Sequence, residues 1–128
     1  MSEENQLDLS RPLFEQVAQK IRIEIAKGEL KPGQKIDGLN DLAKTYGVSQ
    51  AVISKSLKRL EQDALIVADK FRDYYITLAI PRIELVKARL VDNYAKEFVY
   101  YAQKYGLSFD EATEVLKQEW DEFNELNS

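Results

Sequence analysis

Apolar side chains recur at helical spacing along the first part of the chain, at Phe14, Val17, Ala18, Ile21 and Ile25. That spacing marks one buried helix face. Arg11-Pro12 opens this helix, since proline lacks only an N–H that would find no partner in the first turn, and Gly28 closes it. Leu30-Lys31-Pro32-Gly33 has the residues of a tight turn, and Lys35-Ile36 is at most a short strand. A second helix is expected over 38–46 behind an Asp37 N-cap, burying Leu39, Leu42 and Ala43. A third is expected over 50–63, with Val52 or Ile53, Ser56, Leu57 and Leu60 turned inward. The period then changes. Leu65-Ile66-Val67 and Tyr74-Tyr75-Ile76-Thr77-Leu78 are rich in β-branched and aromatic residues and predict two strands joined by a short polar turn.

The second and third helices meet at Tyr46-Gly47-Val48-Ser49. Glycine takes the left-handed conformation that ends a helix, and a serine oxygen can cap the next one. Residues 42–60 contain no Asp or Glu, yet they hold Lys44, Lys55, Lys58 and Arg59. A helix, a glycine turn, a serine cap and a basic second helix describe a helix-turn-helix, whose second helix meets base edges in the DNA major groove. With the two strands behind it, the predicted fold class is mainly α with a small β-hairpin: a winged helix-turn-helix with Lys70 and Arg72 at the wing tip.

After Pro81 the apolar spacing lengthens into one face of a long helix over 82–105, through Ile83, Val86, Leu90, Tyr94, Phe98, Tyr101 and Tyr105. Gly106 ends it. Ser108-Phe109-Asp110-Glu111 is a capping-box sequence for a last helix bearing Ala112, Leu116, Trp120 and Phe123. The short joint implies an antiparallel hairpin of two helices. Two helices make a thin core, and this many aromatic residues would leave a broad apolar surface on a monomer. The expected organisation is a mobile arm over 1–9, a winged DNA-binding domain over 10–79 and a dimerising helical hairpin over 80–128. Leu90, Tyr94, Phe98, Tyr101, Leu116, Trp120 and Phe123 are its expected interface. The same aromatic residues could instead line a small-molecule pocket, but helical spacing favours a dimer core.

Charge sharpens this division. The 128 residues carry a net charge of −4, and residues 80–128 account for all of it, because residues 1–79 hold as many basic as acidic side chains. Screening confines surface charge to about 8–10 Å at cellular salt, so the local patch outweighs the total. The chain has neither Cys nor His, which removes disulfides, thiolate metal sites and the usual general base. No glycine-rich phosphate loop is present, and acid pairs such as Glu119 with Glu122 fit the solvated face of an amphipathic helix. No enzyme, cofactor or metal is therefore expected. The acidic, polar start is unlike a signal peptide, and no apolar run nears the roughly 20 residues that cross a bilayer. The expected address is the cytoplasm, without membrane attachment.

Pro12-Leu13-Phe14-Glu15-Gln16-Val17, Ile21, the run from Gly28 to Ile36, Leu42-Ala43, Tyr46-Gly47-Val48-Ser49, Leu57, Leu60 and Leu65-Ile66 resemble the GntR family of bacterial transcription regulators. The resemblance covers about residues 10–78, and the short two-helix tail looks like the YtrA subfamily. It implies a dimeric repressor, often encoded near transporter genes, and the expected mechanism places each third helix in one half of a near-palindromic operator. Three departures stand out. The family usually has Pro-Ser before the second helix and a base-reading arginine within it, where this chain has Asp37-Gly38 and Asn40. Ala51 and Val52 replace the usual hydroxyl or basic side chain early in the third helix, and Lys70-Phe71-Arg72 replaces the Gly-x-Gly of the wing.

The candidate DNA contacts are Asn40, Lys44, Ser49, Gln50, Ala51, Ser54, Lys55, Lys58, Lys70 and Arg72. The lysines and Arg72 suit phosphates, whereas Gln50, Ser54 and Asn40 can hydrogen-bond bases. Each has a plainer reading as solvated helix surface, and for Asn40 the plainer one is favoured. The expected partners are double-stranded DNA and a second copy of the chain, and no small-molecule effector is indicated. The departures also leave open a winged domain turned to protein binding, such as an antagonist of a DNA-competent relative.

Overall fold

The computed structural model describes residues 7–127. The first six residues of the expected arm lie outside this range. Its last residues are tied down: the Asp8 N–H donates to Gln16 Oε1 at 2.6 Å, and the Gln16 amide donates back to the carbonyls of Asp8 and Arg11. The Asp8 carboxylate accepts from the Ser10 hydroxyl at 2.6 Å and from the Ser10 N–H at 2.9 Å, which holds its pKa below the ordinary range.

Among the described residues five helices and two strands follow in the order α1 (Leu13–Lys27), α2 (Leu39–Tyr46), α3 (Gln50–Gln62), β1 (Ile66–Ala68), β2 (Tyr74–Ile76), α4 (Ile80–Lys104) and α5 (Phe109–Leu126). The chain divides into two compact units, residues 1–88 and 89–128, and the division falls within α4.

In the first unit α3 is the central element, packed against both α1 and α2. Its inward face is Ile53, Ser56, Leu57 and Leu60, with Val52 only half-buried, so the open choice between Val52 and Ile53 falls to Ile53. Opposite stand Val17, Ala18, Ile21 and Ile25 of α1. Each of the valine, leucine and isoleucine side chains taken fully from water stabilises the fold by about 1.5–3 kcal/mol. The buried Ser56 hydroxyl is satisfied: it lies 2.9 Å from the Phe14 carbonyl and 2.8 Å from that of Val52.

β1 and β2 pair antiparallel with Ile66 opposite Ile76 and Ala68 opposite Tyr74. Both isoleucines are buried, and Leu65 beside them is fully buried. The far edge of β2 is not left open. The Ile36 N–H donates to the Tyr74 carbonyl and the Ile76 N–H to that of Gln34, both at 2.9 Å, so the expected short strand at Lys35-Ile36 is a single bridge onto β2. Ile83 of α4 joins the same core.

Two helix starts differ from expectation. Asp37 does not cap α2. Gly38 takes the N-cap position with extended backbone and no side-chain bond, and Leu39 stays partly exposed. Pro12 stands one place earlier than expected, at the N-cap of α1. The capping box at α5 forms as read: Ser108 Oγ accepts from the Glu111 N–H at 3.1 Å, and Glu111 Oε1 accepts from the Ser108 N–H at 2.9 Å.

In the second unit, α5 buries none of its residues. Tyr94, Trp120 and Phe123 are each largely exposed, Tyr101 and Leu116 are exposed, and Leu90 and Phe98 are half-buried. An apolar stripe thus runs along this unit without cover among the described residues.

Burial of the Tyr46 phenol, with Glu24 and Asp37 nearby, pushes its pKa from 10.0 up to about 12. A neutral group favoured by the folded state stabilises it fully below the unfolded pKa, here about 10, and that contribution fades as pH climbs toward 12. Thermal melts from pH 9 to 12 should therefore show a steeper loss for the wild type than for Tyr46→Phe. Parallel losses would show that Tyr46 is not the responsible group.

Candidate nucleic-acid interface

The turn between α2 and α3 fixes which side of α3 faces outward. α2 ends on Gly47 at φ 67° and ψ 37°, with its N–H bonded to the Ala43 carbonyl. Two residues later Ser49 begins α3, its Oγ accepting from the Val52 N–H at 3.2 Å. Ser49 is exposed, but its oxygen is engaged in this cap, so its first role is structural.

With Ile53, Ser56, Leu57 and Leu60 buried, the outer face of α3 consists of Gln50, Ala51, Lys55 and Lys58, all exposed, and half-buried Ser54. The structure splits these residues into three neighbourhoods. Gln50 meets α2: its Nε2 donates to Asn40 Oδ1 at 3.4 Å, joining two of the candidate base contacts across the helix-turn-helix. Asn40 keeps its amide hydrogens and Gln50 its carbonyl oxygen for a further partner.

Lys55 and Arg59 lean toward α1. The Lys55 ammonium sits 4.6 Å from the centroid of the Phe14 ring, and Arg59 lies 3.9 Å from Glu15. Both stay exposed. A cation resting on an aromatic face keeps its charge while losing some freedom.

Lys58 and Ser54 turn the other way, into a cleft of about 320 Å³ whose lining also includes Lys35, Leu39, Arg72 and Tyr74. Asp37 and Asp73 border it too, and Asp73 is engaged by Lys35 at 3.6 Å. Among the described residues neither Lys58 nor Arg72 forms an ion pair, so both charges remain available. Lys44, in the last turn of α2, is exposed at a helix end where a cation is favoured by the dipole.

The wing turn is built by one side chain. Asp69 Oδ1 accepts from the N–H groups of Phe71 at 2.9 Å and Asp73 at 3.0 Å, while the Asp69 N–H donates to the Asp73 carbonyl at 2.9 Å. Arg72 takes a left-handed conformation, φ 69°, with its N–H donating to the Asp69 carbonyl at 3.1 Å. Lys70 and Arg72 are exposed, as expected. At the base of the wing the Tyr74 hydroxyl donates to Glu61 at 3.3 Å, and partial burial together with that carboxylate raises its pKa.

This surface offers amide groups at one end and cations at the other. No group of Asp and Glu is placed to hold a metal ion among the described residues. Two residues absent from the candidate contacts stand beside them, Lys35 in the cleft lining and Phe71 between Lys70 and Arg72. Lys35 enters through the bridge onto β2, a pairing between distant segments that local pattern does not reveal. Phe71 does have a signal in the sequence, as a large apolar side chain in the middle of a polar turn.

Residues 13–72 match the family described as bacterial regulatory proteins, gntR family. The HTH-type transcriptional repressor YtrA of Bacillus subtilis (strain 168) is 27% identical over 115 residues, which cover 85% of each chain. The solved structure of a GntR family transcriptional regulator from Listeria monocytogenes has a TM-score of 0.80 at 23% identity, covering 88% of this chain and 98% of that one. At that identity the likeness is one of fold. The DNA-binding domain of AraR, solved in complex with operator ORX1, has a TM-score of 0.50 at 28% identity, over 56% of this chain and 87% of that one.

A Cβ added at Gly47 would meet no atom within 4 Å, so a side chain there meets only the resistance of left-handed backbone. Gly47→Ala should thus lower stability by about 1–2 kcal/mol in a denaturant titration. A change below a few tenths would mean that the turn can be made another way.

Proposed function

We propose that this chain, whose residues 13–72 match the gntR family of bacterial regulatory proteins, is a homodimeric repressor of transcription acting on a near-palindromic operator. The matched family and the relatives are transcription regulators, and in this reading the chain is not an enzyme. The observation that carries the reading is the outer face of α3: Gln50, Ala51, Lys55 and Lys58 are exposed together behind a formed serine cap, beside a wing whose two cations are also exposed.

In this reading the N-terminal part of α3 enters the major groove. Gln50 and Asn40, joined side by side, meet base edges, while Ser54 lies deeper beside the cleft. Side-chain amides of this kind suit adenine, which offers an acceptor and a donor together. Lys44, Lys55 and Lys58 approach the phosphates on either side of the groove, with Lys70 and Arg72 holding the next stretch of backbone. Residues 1–79 carry no net charge, and the −4 of the chain lies entirely in residues 80–128. The relative YtrA, similar over most of both chains, is named a repressor, and the AraR domain, similar over the winged part, was solved on an operator. Among the described residues no helix is long and apolar enough to cross a membrane; the proposed site of action is the cytoplasm.

The partner is a second copy. The aromatic stripe on α4 and α5 is uncovered in a single chain, and a two-fold dimer would bury it against its own counterpart and present two α3 helices to two half-sites. The domain organisation proposed is a winged part over 10–79 and a dimerising hairpin over 80–128.

Binding to DNA from upstream of its own gene should weaken steeply with salt. Neutralising about four to six phosphates per dimer predicts a log–log slope of roughly −4 to −5. Lys58→Glu should weaken binding to all sequences alike and flatten that slope, and an unchanged titration would show that the cleft does not face phosphate. Light scattering at micromolar concentration should return the dimer mass, with Trp120→Glu shifting it toward the monomer. A monomer in the wild type would remove the proposed role of the stripe.

A further inference from the structure

The wing tip holds a side chain that phosphate binding does not explain. Phe71 is 73% exposed at the outermost turn of the hairpin, between Lys70 and Arg72. An exposed phenyl ring on a polar turn gains nothing from the protein's own core. It is also not loosely held. Asp69 receives the Phe71 N–H directly and closes the turn onto Asp73, and the Lys70 ammonium lies 5.1 Å from the centroid of the ring. The turn therefore projects one flat apolar group with a cation on each side.

Resting on the DNA-binding reading, we propose that Phe71 is a wedge that enters the minor groove, partly unstacks one base step and kinks the duplex. The geometry gives its place. Arg72 shares the cleft with Lys58 of α3, so a sugar–phosphate strand bordering the major groove would run between those two cations. Phe71 is the next residue outward from Arg72, and it would lie beyond that strand, where the minor groove begins. Its surroundings match the ligand. Lys70 and Arg72 suit the negative potential of a narrow groove, and an apolar side chain between base pairs is the known physical means of opening a step. Flexible pyrimidine–purine steps yield most easily, so Phe71 would add preference for such a step outside the bases that α3 touches. A protein surface as the occupant would leave the two flanking cations without a stated counterpart.

The test uses the full chain and duplexes that the wild type enriches from a random library, labelled for end-to-end energy transfer and carrying 2-aminopurine at successive positions. Wild type should shorten the end-to-end distance and brighten 2-aminopurine at one step flanking the α3 contacts. Phe71→Ala should abolish both signals and weaken binding about tenfold, with an unchanged circular dichroism spectrum. Phe71→Leu, which keeps an apolar wedge, should retain most of the bend. Lys70→Gln should lower affinity and the salt slope but leave the bright step in place. If Phe71→Ala binds within twofold of wild type and bends the same duplex equally, the wedge is overturned while DNA binding stands. If wild type enriches no duplex at all, the DNA-binding reading fails and the wedge falls with it.

Discussion

The structure of the winged unit depends on the burial of one face of α3. Ile53, Leu57 and Leu60 are removed from water against α1 and α2, and Ser56 spends its hydroxyl on main-chain carbonyls rather than on solvent. Once that seam is closed, α3 cannot rotate about its axis without exposing leucine or burying lysine. Burying an unpaired charge costs far more than the seam contributes at any one position. The direction in which Gln50 and Lys58 point is therefore a consequence of packing behind them.

The turn and the bridge then convert this orientation into a shaped surface. Gly47 and the Ser49 cap set how α2 meets α3, which is what brings Asn40 beside Gln50. The bridge of Lys35 onto Tyr75, together with the β1–β2 pairing, puts Arg72 on the same cleft as Lys58. A surface assembled from three separate segments holds its amides and cations in fixed relation, which lowers the ordering that binding would otherwise require. At the far end of the chain the aromatic residues of α4 and α5 have the opposite character. They are largely exposed, and an apolar surface of this kind is stabilised by whatever removes it from water.

The departures from the family pattern acquire physical content in this setting. Gly38 does cap α2, but without the side-chain bond that a serine would supply, and Asn40 is held by Gln50 where an arginine would reach further. At the wing, loss of glycine leaves Arg72 to adopt a left-handed backbone. Asp69 compensates by accepting two main-chain N–H groups. A turn that glycine would make passively is here made by a carboxylate, which also fixes the direction of the side chains on it.

Much of this was legible in the order of residues alone. Helical periodicity located α1, α3, α4 and α5, the change to alternating β-branched residues located the hairpin, and Gly47, Ser49 and Ser108 marked ends that form as read, because caps and turns are decided within a few neighbours. The inward face of α3 followed from the same local rule, and so did the exposure of Lys58, Lys70 and Arg72. What only the tertiary structure decided is how the outward residues are grouped. Lys55 rests on Phe14 and Arg59 reaches Glu15, while Lys58 turns to Arg72 and Asn40 meets Gln50. Those relations join residues from 10 to 44 positions apart. They are set by the distances and angles at which helices pack, which no periodicity along the chain contains.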